Sequence, residues 1–247
     1  MIEVSELSKT YGDYSAVSNV SFSAVKGDVV GFLGPNGAGK TTTIRMLATY
    51  LPPTSGRASI AGFDVVEQAD EVRRRIGYLP ENPPLYPEMT VREYLKFIAE
   101  IKGVPRIHIQ SRIAEVLEQC FITEVRNKLC QHLSRGYRQR VGLAQAIIHD
   151  PEVIILDEPT SGLDPKQIID IRKLIRSLGE SHTVLLSTHI LPEVSMVCNK
   201  VVIISNGRVV IESALGDLTK EKDLEQIFIE SVSKEDEVAS DGSSQAA

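Results

Sequence analysis

Residues 34–41 read GPNGAGKT, directly after the apolar run VVGFL at 29–33 and directly before a helical pattern. That order constrains the fold more than any other feature of the chain. It fits G-x-x-x-x-G-K-[ST], a loop whose backbone N–H groups converge on a phosphate at the positive end of a helix. Such a loop needs a buried strand before it and a helix after it, and both are written in the flanking sequence. Gly34, Gly37 and Gly39 let the backbone curl, while Pro35, Asn36, Ala38 and Thr42 complete the phosphate-facing segment. Lys40 has the reach for β- and γ-phosphates, and the Thr41 hydroxyl can bind Mg²⁺.

A second element supplies acid. VIILDE at 153–158 reads as a buried strand that delivers Asp157 to the carboxyl edge of a sheet, where nucleotides bind in open α/β folds. Asp157 is expected to share Mg²⁺ with Thr41. Glu158, the next residue, points elsewhere and can polarise an attacking water. A phosphate loop with an acidic strand defines a nucleotide site, but kinases, GTPases and ATPases all share it.

The rest of the chain gives the architecture. IEVSEL at 2–7 and VSFSAV at 20–25 alternate as half-buried strands do, and RASIAG at 57–62 and IGYLP at 76–80 read as short strands. The helix after the phosphate loop is expected to run to about Tyr50, before Pro52-Pro53. Thr90 and Glu93 form a capping box ahead of Val91, Tyr94, Leu95 and Ile98, and a second helix covers Ile109 to Gln119. These open a helical insertion spanning about 88–150. Strand–helix alternation then resumes, with a helix from Pro165 to Leu178 behind Asp164, a strand TVLLS at 183–187 and a short helix from Leu191. A hairpin, KVVIISNGRVVI, turns at Asn206-Gly207. The expectation is an α/β fold with a mainly parallel sheet covered on both faces. The antiparallel hairpins at either end suggest a β-subdomain on one flank. One domain is expected over 1–230, and the acidic, Ser-rich segment 231–247 reads as a disordered tail.

Bulk properties narrow the function. Net charge is −6, against a broad basic surface for nucleic acid, and no nucleic-acid partner is expected. Three scattered cysteines, Cys120, Cys130 and Cys198, have no metal-like spacing and read as reduced and cytosolic. The start, MIEVSELSKTYG, carries an early Glu and no apolar core, so it does not read as a secretory signal. Ile2 stands where myristoylation needs glycine, and SSQAA ends without a prenylation box. No apolar run approaches the roughly 20 residues of a membrane helix.

The stretch that chooses among nucleotide enzymes is HLSRGYRQRV at 132–141. Ser134 reads as an N-cap, and N–H groups around Gly136 begin a helix carrying Val141, Ala144 and Ile148, making a second anion site. With its position before the Asp-Glu strand, LSRGYRQR resembles the LSGGQ signature of ATP-binding subunits of ABC transporters. The resemblance covers about 1–215 and implies a P-loop NTPase core. It further implies that each ATP is sandwiched between one chain's phosphate loop and the signature of a second chain, a homodimer or a paralogous subunit. By the same resemblance Tyr11 falls at the adenine-stacking aromatic, SGLD at 161–164 at the loop between the two sites, and His189 at the histidine contacting the γ-phosphate. The catalytic set would be Glu158, His189 and Lys40, with ATP and Mg²⁺ as cofactors.

Three positions depart from the family pattern. Arg135 replaces the first signature glycine and Tyr137 its glutamine. In IGYLPEN the position usually held by a γ-phosphate-sensing Gln falls on Glu81, with Asn82 the register alternative; Glu81 remains an Mg²⁺ ligand candidate. PLYPEMTVREYLKFIAEIKGV and DLEQIFIES resemble the drug, sodium and gliding-motility exporter group. The reading is therefore an exporter's ATPase on the cytoplasmic face of the cell membrane, driving an integral membrane permease that docks near 81–90, where LYPEM offers apolar groups. The alternative is a non-transport ABC-superfamily ATPase acting on a macromolecular complex. Ribosome-acting relatives carry two cassettes, and chromosome-acting ones need a coiled coil that this helical insertion is too short to hold.

Overall fold

The structure, a computed structural model, describes residues 1–218 and 223–230; the tail expected from 231 lies outside the described residues. In chain order, strands β1 (Ile2–Tyr11) and β2 (Tyr14–Ala24) form a hairpin, and β3 (Val29–Leu33) leads through the phosphate loop into helix α1 (Lys40–Leu47). Strands β4 (Ser55–Ile60) and β5 (Phe63–Asp64), helix α2 (Ala69–Arg75) and strand β6 (Ile76–Leu79) follow. Helices α3 (Val91–Ile101), α4 (Ile109–Gln119) and α5 (Arg135–Ile147) make up the helical insertion. The chain then continues through β7 (Val153–Asp157), α6 (Pro165–Leu178), β8 (Thr183–Thr188), α7 (Leu191–Val197), β9 (Lys200–Ser205), β10 (Arg208–Ala214) and α8 (Leu215–Leu218). Residues 224–230 are helical.

The central sheet has the order β10-β9-β3-β8-β7-β6, parallel except for the β9–β10 pair. A second, antiparallel sheet has the order β2-β1-β4-β5. Period-two alternation divides each buried strand between two cores. On β7, Ile154 and Leu156 join the core shared with α3, α4, α5 and α6, whereas Val153 and Ile155 join the core shared with α1 and the antiparallel sheet. All four are 0% exposed, and at roughly 1.5–3 kcal/mol per buried aliphatic side chain this strand anchors both layers.

The structure differs from the sequence expectations in five places. Both N-terminal strands run longer, with register shifts that interrupt their alternation. Helix α1 stops at Leu47, and Thr49 takes a left-handed φ of 62°. Helix α2 has no counterpart in the sequence reading: it buries only Val72 and is laced instead by Arg73–Asp70, Arg74–Glu71 and Arg75–Glu71 pairs. The C-terminal hairpin extends the central sheet rather than the flanking one, because β9 pairs in parallel with β3. Finally, Leu85 and Met89 pack against the helical core as partly buried residues, so LYPEM is not an open apolar surface.

Candidate active site

Strand β3 is buried along its whole length and ends at the phosphate loop. A Cβ on Gly34 would collide with the Ile204 carbonyl oxygen, so the loop can leave the sheet here only as glycine. Gly39 caps α1 with φ 99°, in the left-handed region where a side chain is strained. The loop is closed from inside by Lys40, whose Nζ donates to the carbonyls of Gly34 (2.8 Å) and Pro35 (3.0 Å). Burial pushes the Lys40 pKa below its ordinary value, opposed by the charges of Glu158 and Asp157. The ammonium lies 3.8 Å from Glu158 Oε1.

Asp157 ends β7, is 1% exposed, and its Oδ1 accepts from Ser187 Oγ (2.6 Å) and Thr41 Oγ1 (3.3 Å). Burial raises its pKa, those two hydrogen bonds lower it, and the Glu81 charge raises it further. Glu158 turns out of the strand with φ 49°, its N–H donating to the Ser187 Oγ (3.0 Å) and carbonyl (3.2 Å). This turn separates the two carboxylates: Asp157 stays beneath the loop, while Glu158 reaches the open cavity. His189 meets it there, with Nδ1 3.0 Å from both carboxylate oxygens.

A cavity of about 450 Å³ gathers these groups. Tyr11, Asn36, Gly37, Gly39, Lys40, Thr41, Thr42, Glu81, Glu158 and His189 line it, together with Tyr14, Ala16 and Ser161. Glu81 is among these lining residues and Asn82 is not. Gly34, Pro35 and Ala38 form the loop's inner side. Tyr11 and Tyr14 pair across the β1–β2 turn and are 48% and 63% exposed, giving two aromatic faces where one was expected. Thr41, Asp157 and Glu81 offer only oxygens. Among the described residues no cluster of three His, Cys, Asp or Glu makes a ready metal cage. Mg²⁺ typically takes one or two carboxylates and fills its shell with phosphate oxygens and water, so this sparse oxygen set fits it.

Ser134 and Gly136 lie outside that cavity, at the start of α5. Ser134 caps the helix, accepting from the Tyr137 N–H at 3.4 Å. The turn is held by contacts within its own chain. Arg135 Nη2 donates to Ser161 Oγ at 3.2 Å, and the guanidinium covers Gly162. A Cβ on Gly136 would strike the Gln167 carboxamide of α6. The signature turn is therefore docked on residues 161–167 of its own chain.

A family model described as ABC transporter matches residues 17–161, more than half of the chain. The chain belongs to the ABC transporter ATP-binding family. It is 42% identical over 222 residues to the bacitracin transport ATP-binding protein BcrA of Bacillus licheniformis, covering 89% of this chain and 72% of that protein. It is 39% identical over 238 residues to the ABC transporter ATP-binding protein NatA of Bacillus subtilis strain 168, covering 93% and 97%. Among solved structures, the dimeric post-hydrolysis state of the ATP-binding cassette MJ0796 bound to ADP and Pi aligns with a TM-score of 0.80 and 27% identity, over 87% of this chain and 99% of that one.

Within this ABC cassette, Tyr14 and Ser187 both escaped the sequence reading, and for Ser187 the reason is physical. Ser187 orients Asp157 and holds the Glu158 N–H, yet in sequence it is one hydroxyl in an apolar strand. Its signal is register: Ser187 pairs directly with Asp157 across β7 and β8, which the sequence shows only once those strands are known to be neighbours.

Proposed function

We propose that this chain is the ATP-hydrolysing subunit of an exporter, and that two copies close on two ATP with Mg²⁺ to drive a separate membrane permease. The observation that carries the hydrolytic reading is the position of Glu158, held between Lys40 and His189 at the rim of the phosphate loop. A carboxylate there accepts a proton from a water lined up on the γ-phosphate, and His189 holds it in place. Lys40 and the loop N–H groups stabilise the charge on the phosphate oxygens. Thr41, Asp157 and Glu81 would hold Mg²⁺, which supplies charge neutralisation between the β- and γ-phosphates. Tyr11 and Tyr14 offer faces for adenine.

The dimer reading rests on the resemblance of LSRGYRQR to the family signature and on Ser134, which is exposed at the start of α5 and does not line the chain's own cavity. Glu158→Gln tests both parts. Turnover should fall by about 10² to 10⁴-fold, as for loss of a general base, while ATP binding persists and the protein elutes as an ATP-dependent dimer. Normal turnover in this variant would remove Glu158 from the role of base.

No helix among the described residues is long and apolar enough to cross a membrane; from its kinship with transporter ATP-binding subunits, we place the chain at the cytoplasmic face through contact with the permease. A second cavity of about 480 Å³, lined by Tyr50, Arg73, Arg74, Tyr78, Ile101 and Lys102 among others, opens between the core and α3. Tyr50 and Ile101 are 72% and 63% exposed, and basic groups frame them. An apolar floor with a charged rim suits a short helix of the permease.

A further inference from the structure

Glu193, in the first turn of α7, is a carboxylate only 2% exposed, and a buried carboxylate must be matched by hydrogen bonds or charge. It is matched by two hydroxyls. Thr160 Oγ1 donates to Oε1, and Thr188 Oγ1 donates to Oε2 at 2.6 Å. The nearest cation, Arg172 on α6, stands 4.0 Å away and spends another N–H on Met196 Sδ, while its buried Nε has no partner. Charge pairing is therefore loose here, and the hydroxyl contacts are specific.

The two hydroxyls belong to the segments that carry the hydrolytic pair. Thr160 lies two residues after Glu158, and Thr188 lies one residue before His189. Thr188 Oγ1 also accepts from the Ile190 N–H at 3.0 Å, fixing the backbone on the far side of His189. Glu158 and His189 meet at 3.0 Å only while both segments hold their places. We propose that Glu193 is a positioning residue for ATP hydrolysis: its carboxylate clamps Thr160 to Thr188 beneath the Glu158–His189 pair, and so ties the placement of that pair to α7. The proposal rests on the reading of Glu158 as base. A base displaced by about 1 Å can lose about 10²-fold in rate without losing substrate binding, which sets this role apart from general stabilisation.

The test compares Glu193→Ala, Glu193→Gln and Thr160→Val with the parent in steady-state ATPase assays, with thermal melts alongside. Glu193→Ala should lower kcat by about 10- to 100-fold, with KM for ATP changed by less than about 3-fold. The glutamine amide accepts from one threonine and donates to the other, so Glu193→Gln should recover most of the lost rate. In a His189→Ala background the further loss from Glu193→Ala should be much smaller than in the parent, since both act through one pair. Parental kcat in a folded Glu193→Ala protein, a loss carried by KM, or full additivity with His189→Ala would each overturn the proposal. Should Glu193→Ala fail to fold, Thr160→Val decides: it deletes one hydroxyl at constant shape, and an unchanged kcat overturns the clamp. Glu158→Gln belongs in the same series. If it hydrolyses ATP normally, the underlying reading of the base fails; if it is inactive while Glu193→Ala is fully active, only the clamp fails.

Discussion

Glu81, which the sequence reading sets at the family's sensing position, lines the cavity beside the phosphate loop, and its charge raises the pKa of Asp157. The Glu81 charge acts on Asp157 beneath the loop, so the site in this form asks for a divalent ion more strongly than an amide version would. Glu81→Gln should keep ATP turnover, since an amide oxygen also ligates Mg²⁺, but should shift the Mg²⁺ activation curve to higher concentration. Glu81→Ala should shift it further, and should weaken coupling to transport more than it weakens ATP binding. A Mg²⁺ titration of the ATPase rate separates the three proteins, and coincident curves would remove Glu81 from the metal site. Arg135 is the other unusual residue. Its contact with Ser161 joins groups 26 positions apart, so the sequence showed the substitution but not what the side chain holds.

At the scale of elements, legibility follows whether the stabilising interactions are local. The α3 capping box and the α6 cap were readable because their partners lie three residues apart: Glu93 Oε2 accepts from the Thr90 N–H at 2.8 Å, and Asp164 Oδ1 accepts from the Gln167 N–H at 2.9 Å. Helix α2 was not, because Val72 alone is buried and its ion pairs are weak signals in a charged stretch. The destination of β10 was not either, because sheet membership depends on β9 finding β3 across roughly 170 residues of chain. Thr90→Ala removes one side of the α3 box and should cost about 1 kcal/mol, read as a lowered urea midpoint with an unchanged slope. The same helix borders the proposed permease groove. There Ile101→Asp or Tyr50→Asp should abolish co-sedimentation with membranes from cells expressing the permease, while basal ATPase activity persists; full membrane retention would move the docking site elsewhere.

At the scale of the molecule, backbone carbonyls help to join the helical insertion to the core: Tyr78 accepts from Gln145 Nε2 at 2.7 Å, and Ile76 takes two partners. Ile76, which opens β6, accepts from Lys102 Nζ at 3.2 Å at the end of α3 and bonds His149 Nε2 at 3.0 Å just after α5. A carbonyl can only accept, so Nε2 carries the histidine proton, and the buried Nδ1 is left without a partner. Protonating Nδ1 would place a charged N–H where nothing receives it. Burial, joined by the Lys102 and Arg112 charges, accordingly lowers the His149 pKa from 6.5 to about 4, although its bond to Ile76 and the Asp150 charge oppose this. Well above pH 6.5 neither folded nor unfolded protein charges this ring, and stability is unaffected by it. As pH falls from 6.5 to about 4 the unfolded chain takes up a proton that the folded one refuses, so stability drops across that window. Lys102, lowered to about 8 by burial and then by Arg73, acts at the other end. The folded state bears the cost of its buried charge at neutral pH and is relieved of it as pH rises from about 8 toward 10.5. His149→Gln cannot take up the proton, and its amide can still donate to Ile76. Its melting temperature should therefore fall less than the parent's between pH 6.5 and 4, while the two curves run parallel from pH 7 to 7.5. Identical acid limbs would show that the ring titrates freely, and that the junction between helical insertion and sheet is not where this fold senses acid.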